Sequence, residues 1–329
     1  MPARMHPTFR NWLTALGLLL ALCFGARKLA AAPSEERMAT HGFASPFART
    51  DGGSPVQARV GLLLTNVRGY DILEGSFEAD FYLSYTSDAA MPKLEPGFTN
   101  GKIDFAETLA DEPQFKLFHF IGTFTSLPDL RDFPFDTQEL TIEIEDERVG
   151  VDRLVLVADQ AHTHLDSGFE VSGWQTAFLR ARVVTHNFPD RFVDDDLYYQ
   201  RFELGLGLRR FGLSAIFTVF VPAIVIVLIS LSGLWLPKSQ LEVRSNATTP
   251  MLAAAVLFHF ALMQELPATP YLTRADKLMM AVYGALALHM LCTWMWFALD
   301  EKHTERIFRF AKRVGVPLTF ALLAAGMFV

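Results

Sequence analysis

Leu241–Pro267 reads LEVRSNATTPMLAAAVLFHFALMQELP. From Glu242 to Gln264 it can form one helix of roughly 34 Å, at ~1.5 Å per residue, long enough to cross a bilayer core. Its polar residues are not spread evenly. Steps of three and four down one face meet Glu242, Asn246, Pro250, Ala253, Leu257, Phe260 and Gln264. That face runs from an acid, through an amide, to apolar side chains, and ends in a second amide. Charged groups at membrane depth line water or bury in protein rather than face lipid. Pro250 sharpens the point, because it has no N–H and leaves the Asn246 carbonyl without its helical partner, at ~3 kcal/mol in an ordinary helix. Inside a membrane that carbonyl needs water or a neighbouring group. The face carrying Asn246 and Pro250 is therefore expected to see water. One helix cannot enclose a wet path, so several copies are expected around an axis.

The chain has 329 residues, 51% of them hydrophobic, and a mean hydropathy of +0.23. This suits one soluble domain plus several membrane helices better than a wholly soluble protein. A net charge of −7 argues against a nucleic-acid partner, which needs a basic footprint. Cysteine occurs only at Cys23 and Cys292, so a disulfide or a Cys-type zinc site in the soluble part is excluded. The N-terminus reads as a signal peptide over 1–32: Arg4 and Arg10, an apolar core from Trp12 to Phe24, then Ala30, Ala31 and Ala32. An uncleaved anchor is the alternative. Either puts the next domain outside the cytoplasm, with the whole chain a multi-pass protein of the inner (plasma) membrane.

Residues 33–54 are polar and rich in small side chains, the composition of a flexible segment. From Pro55 the period changes to two. Phe77, Ala79, Phe81, Leu83 and Tyr85 share one face, and Leu140, Ile142 and Ile144 another. Phe202, Leu204, Leu206 and Leu208 repeat the pattern, and strands near Val56–Val67, Arg153–Ala158 and Gly173–Val184 fill out the set. Short alternating strands with turn-rich joints predict an antiparallel, all-β, immunoglobulin-like sandwich over 55–209. From 210 to 329 the text is apolar and predicts a four-helix transmembrane bundle, with helices at about 211–236, 242–264, 275–299 and 305–329. Lys302, Arg306, Arg309, Lys312 and Arg313 gather at the third joint, which the positive-inside bias makes cytoplasmic. The sandwich is then periplasmic or extracellular.

Ser126 to Leu140, SLPDLRDFPFDTQEL, resembles the signature loop of the pentameric ligand-gated ion channels, the Cys-loop receptor family, whose core is F-P-F-D-x-Q. Ser126 and Leu140 stand where the animal receptors carry cysteines, as in prokaryotic members that lack them. Gly173-Trp174, Pro222, Leu266-Pro267 and Thr269-Pro270-Tyr271 follow in the family's order, so the resemblance runs from about Pro55 to the end. It implies a homopentamer that passes ions.

Phe133, Pro134 and Phe135 make a rigid apolar tip suited to insertion beside the joint at Leu266–Leu272, which includes Pro267. Asp136 would be partly buried there and needs a cation, which Arg209 or Arg210 can supply. The resemblance adds Asp71 as a second acid sharing that arginine, and a coupling role for the cluster. It also implies that Glu242 stands at the cytoplasmic mouth of the pore, favouring monovalent cations, that Asn246 is a narrow polar level, and that Leu257 and Phe260 form a gate. Pro250 and Ala253 depart from the family's usual residues at their levels. Arg244, if turned into the lumen, would favour anions instead.

Agonists in this family sit in an aromatic box between subunits. Phe188, Phe192, Tyr198 and Tyr199 are the candidates here, although the span Asp88–Ser126 lacks the family's Trp-x-Pro stretch. The agonist, a small molecule or a proton, is left open. His162, His164 and Asp166 suit a metal, a pH response or exposed loop polarity; no metal site is assigned, and no cofactor is expected. His259 faces away from the polar line, for an interhelical bond or a proton switch. No Ser/His/Asp set, phosphate loop or H-E-x-x-H motif points to an enzyme. The alternative function is a membrane-anchored periplasmic binding or sensor module that does not conduct.

Overall fold

The computed structural model describes residues 53–187, 198–236, 240–298, 309 and 311–328. The expected signal peptide, nearly all of 33–54, Phe188, Phe192, Lys302 and Arg306 lie outside the described residues.

Among the described residues ten strands form the sandwich: β1 (Val56–Asp71), β2 (Ser76–Ser87), β3 (Gly97–Phe98), β4 (Gly101–Asp111), β5 (Phe115–Thr125), β6 (Thr137–Glu145), β7 (Leu154–Ala158), β8 (His164–Leu165), β9 (Trp174–Asn187) and β10 (Tyr198–Arg210). One sheet runs β4-β5-β2-β1-β7, with β8 also on β1; the other runs β3-β6-β10-β9. The alternating faces read from the sequence meet between them. Phe77, Ala79, Phe81 and Leu83 of β2 pack with Ile142 and Ile144 of β6 and Phe202, Leu204 and Leu206 of β10 in one core. The sheets are not wholly antiparallel. β7 and β8 both run parallel to β1, pairing with its Val56–Val60 and Leu63–Leu64 stretches. Between them the chain bulges out, and His162 fills the space a Cβ on Gly61 would take.

Four helical segments follow among the described residues. α1 is Gly212–Trp235, α2 is Leu241–Gln264 and α3 is Arg274–Ala298; α4 comprises Ala311–Gly315 and Val316–Phe328. Among the described residues α1, α2 from Glu242 and α3 to Met295 are long and apolar enough to cross a membrane. α3 packs against the other three. α1 and α4 each contain a π turn, Ile216–Phe220 and Ala311–Gly315, and each turn ends just before a Val-Pro pair, Val221-Pro222 and Val316-Pro317. A proline ring clashes with the carbonyl four residues back, and a wider turn relieves that crowding. Pro250 in α2 has no such turn, and the α-helix continues through it.

Candidate functional site: the domain junction and the α2 face

The loop between β5 and β6 joins the two halves. Its ends are tied without sulfur: the Ser126 hydroxyl donates to the Glu139 carbonyl at 2.7 Å, and the Ser126 amide donates to the Gly75 carbonyl. Gln138, the last residue of FPFDTQ, crosses the loop. It donates to the Asp129 carbonyl at 2.8 Å and accepts from the Asp129 N–H at 3.0 Å. Phe133 lies at the tip, across a cis bond to Pro134, and is buried with Leu130, Val219, Phe220, Leu266 and Ala275. Phe135 is half-exposed and sets its ring 5.3 Å from that of Phe220 in α1. The loop backbone is held as well: Ala275 N–H donates to the Phe133 carbonyl and Arg274 N–H to the Arg131 carbonyl, both at 3.1 Å. Arg274 pairs with Asp132 at 3.0 Å. Tyr271, on the α2–α3 joint, accepts from the Leu130 N–H and carries the Arg131 guanidinium over its ring. The tip therefore seats beside the joint that includes Leu266 and Pro267, as its apolar composition suggests.

Asp136 is 1% exposed. Arg210 is its cation: Nε donates to Oδ1 at 3.0 Å and a terminal nitrogen to Oδ2 at 3.4 Å. Gln138 donates to the same carboxylate. The Arg210 guanidinium also lies 4.5 Å from the Trp174 ring centre and 5.2 Å from that of Phe133. Tyr70 packs on Trp174, and burial, then the Asp136 charge, push its phenol up while Arg210 pulls it down. Arg209, one residue earlier on β10, is exposed.

Asp71 departs from expectation. It does not share Arg210; its carboxylate accepts from the N–H groups of Leu73 (2.8 Å) and Glu74 (3.3 Å), capping its own exposed turn. A short acid at the start of a turn finds local donors before it reaches a distant cation. Tyr199 is a second correction. It is buried, while its neighbour Tyr198 is exposed, because successive strand residues point to opposite faces. One aromatic box cannot take both.

On α2 all seven residues of the expected line, Glu242, Asn246, Pro250, Ala253, Leu257, Phe260 and Gln264, are exposed in the single chain. Arg244 is not on that side: it is buried, as are Thr248 and Ala255. Its backbone carbonyl lies beside Gly233 at the end of α1. His259 faces α3, where Nδ1 meets the Tyr283 hydroxyl at 3.1 Å and Nε2 meets Asp276 at 3.0 Å. His289, which the sequence reading passed over, is fully buried between Ser230 and Thr319 and ties α1, α3 and α4 together. His162 binds Asp159, and among the described residues no three His, Cys, Asp or Glu side chains are grouped to hold a metal.

No protein-family model matches the chain. Two proteins do. Over 155 residues, 47% of this chain, it is 26% identical to a proton-gated ion channel of Gloeobacter violaceus, covering 42% of that protein. Over 196 residues, 56% of this chain, it is 26% identical to a gamma-aminobutyric acid receptor subunit beta-4 of Gallus gallus, covering 39% of it. Both matches agree with the likeness to the pentameric ligand-gated ion channels that the FPFDTQ loop carries. A β-sandwich that leads directly into apolar helices, with the FPFD loop at the seam, is consistent with the ligand-gated channel fold. The matched stretches span less than half the length of each relative.

Proposed function

We propose that five copies of the chain form a ligand-gated channel in the inner membrane, with α2 lining the pore and the sandwich on the periplasmic side. The observation that carries this reading is the exposed line on α2. A helix long and apolar enough to span a bilayer presents an acid, an amide and a carbonyl freed by Pro250 on a side its own chain leaves open. Such groups need water. Monovalent cations are the proposed permeant ions, selected by Glu242 at the start of α2. The burial of Arg244 supports this, because it takes the nearest cation off the exposed face.

Phe133, Pro134, Phe135, Asp136 and Arg210 form the proposed coupling unit, seated against the joint with Pro267, and a shift of the sandwich moves the loop against α1 and α3. One relative is a proton-gated ion channel by name and the other a subunit of a receptor for a small amino acid, so protons and small amines are the agonist classes to screen. The test is electrophysiology on purified protein in liposomes under pH and amine steps. Currents should appear, and Glu242→Lys should move the reversal potential in a salt gradient toward anions. An unmoved reversal potential removes Glu242 as the selecting ring; silence under every condition favours the non-conducting sensor.

A further inference from the structure

Three consecutive residues at the start of α3 hold two different parts of the molecule. Arg274 and Ala275 grip the FPFD loop through Asp132, the Arg131 carbonyl and the Phe133 carbonyl. Asp276, the next residue, grips α2 through His259. The Asp276 carboxylate is itself fixed, since its other oxygen accepts from both the amide and the hydroxyl of Thr273 at 2.8 Å. Loop, α3 terminus and α2 are thus linked by an unbroken run of bonds. Side chains of the α2 line make no part of it.

The two described histidines of the bundle are placed differently. His289 sits between two hydroxyls and meets no acid. His259 meets an acid on one nitrogen and a phenol on the other. A neutral imidazole has one donor nitrogen and one acceptor. With Nε2–H donating to Asp276, Nδ1 accepts from the Tyr283 hydroxyl. A proton taken from water makes Nδ1 a donor too. The Tyr283 oxygen must then accept, and its hydrogen turns to the other acceptor within reach, the Ala255 carbonyl at 3.5 Å, which also belongs to α2. The His259–Asp276 bond becomes an ion pair, and charge-assisted hydrogen bonds are about twice as strong as neutral ones. Other charged groups on the elements packed here are Arg274, held by Asp132; Lys277 on α3; Glu265 past the end of α2; and Arg131, Asp129 and Asp136 on the loop. Asp276 is the one whose oxygen meets the ring.

We propose that His259 is the positioning residue through which the outer-domain loop holds α2, and that its protonation tightens that hold. The link stands on the single chain; its effect on opening rests on the channel reading above.

The full chain, purified and reconstituted in phosphatidylcholine liposomes, is compared with H259Q, D276N and Y283F by hydrogen–deuterium exchange at about pH 5 and about pH 8. Rates are corrected for the intrinsic pH dependence of exchange. In the wild type, peptides covering 250–264 should be roughly tenfold better protected at the lower pH, the equivalent of one hydrogen bond to a charged group. H259Q and D276N should abolish the difference, and Y283F, which strips Nδ1 of its partner, should reduce it. If H259Q does not fold, D276N, which keeps the ring, carries the same expectation. Equal protection at both pH values in the wild type, or a difference that survives in D276N, overturns the proposal. Currents under pH and amine steps on the same liposomes separate the two ideas. Currents without the protection difference sink the link alone, and the difference without any conductance sinks the channel reading alone.

Discussion

At the scale of single residues, the two acids flanking the junction make opposite predictions. Asp136 is buried against Arg210, and removing one partner of a buried pair typically costs roughly 3–5 kcal/mol. Asp136→Asn should therefore lower the unfolding free energy by that order in denaturant titration and impair gating while assembly persists. Asp71 merely caps a turn, so Asp71→Asn should cost about 1 kcal/mol or less in the same unfolding assay. If the two losses were equal, the assignment of Arg210 to Asp136 would be wrong. A third acid gives a pH test. The bond from the His162 ring holds the Asp159 carboxyl below its usual range. A depressed value means the unfolded chain binds the proton more readily. The stability it contributes is therefore whole above the unfolded carboxyl value of about 3.9 and is lost as pH falls through the folded value. The midpoint gap between wild type and Asp159→Asn should hold above about pH 5 and narrow as the pH falls from there toward about 2, followed by thermal melts.

Among the elements, β10 shows how a strand can be legible and still hold a surprise. Phe202, Leu204, Leu206 and Leu208 announce its inward face by simple alternation, and all four are buried. Its outward face is covered too, because Phe178 lies over Gly207 and Glu139 over Gly205. An ideal Cβ on Gly207 would fall 2.3 Å from the Phe178 ring. Gly207→Ala should destabilise the sandwich by about 1–3 kcal/mol in denaturant titration, and Phe178→Leu in the same chain should recover part of that. No recovery would place the strain elsewhere. β5 carried a signal that went unread, with Phe118, Phe120 and Phe124 on one face at even spacing, all buried. β4 carried none. It is the edge of its sheet, exposed for most of its length, so no buried face imposed a period on its residues. The junction divides the same way. FPFDTQ, its apolar tip and the need of Asp136 for an arginine could be read from chemistry. Which arginine, and the desertion of Asp71 to its own turn, depended on strand register and on local donors that linear spacing does not encode. Tyr199 was decidable in advance, since adjacency to Tyr198 on a strand separates their faces. His259 was legible as an off-line polar residue, but its partner Asp276 became visible only when α3 was laid against α2.

For the molecule as a whole, the distribution of polar groups in the bundle is the feature that sets assembly. Arg244, His289 and Thr319 are buried within one chain, whereas the α2 line is left open. Native mass spectrometry in detergent should return the mass of five chains, and a monomer would remove the wet axis on which the proposed function stands. The seam between the halves is a continuous apolar cluster that takes Leu130 and Phe133 from one side and Val219, Phe220 and Leu266 from the other. Sandwich and helices therefore share part of one interior at the seam.

The closure at Ser126 has a practical reach. A loop fastened by a hydroxyl reads no electrons, and the sequence of the sandwich contains no cysteine at all. Dithiothreitol should leave its melting curve untouched. Closing this loop requires no thiol oxidation, which makes the cysteine-free sandwich a convenient scaffold for site-directed thiol labels.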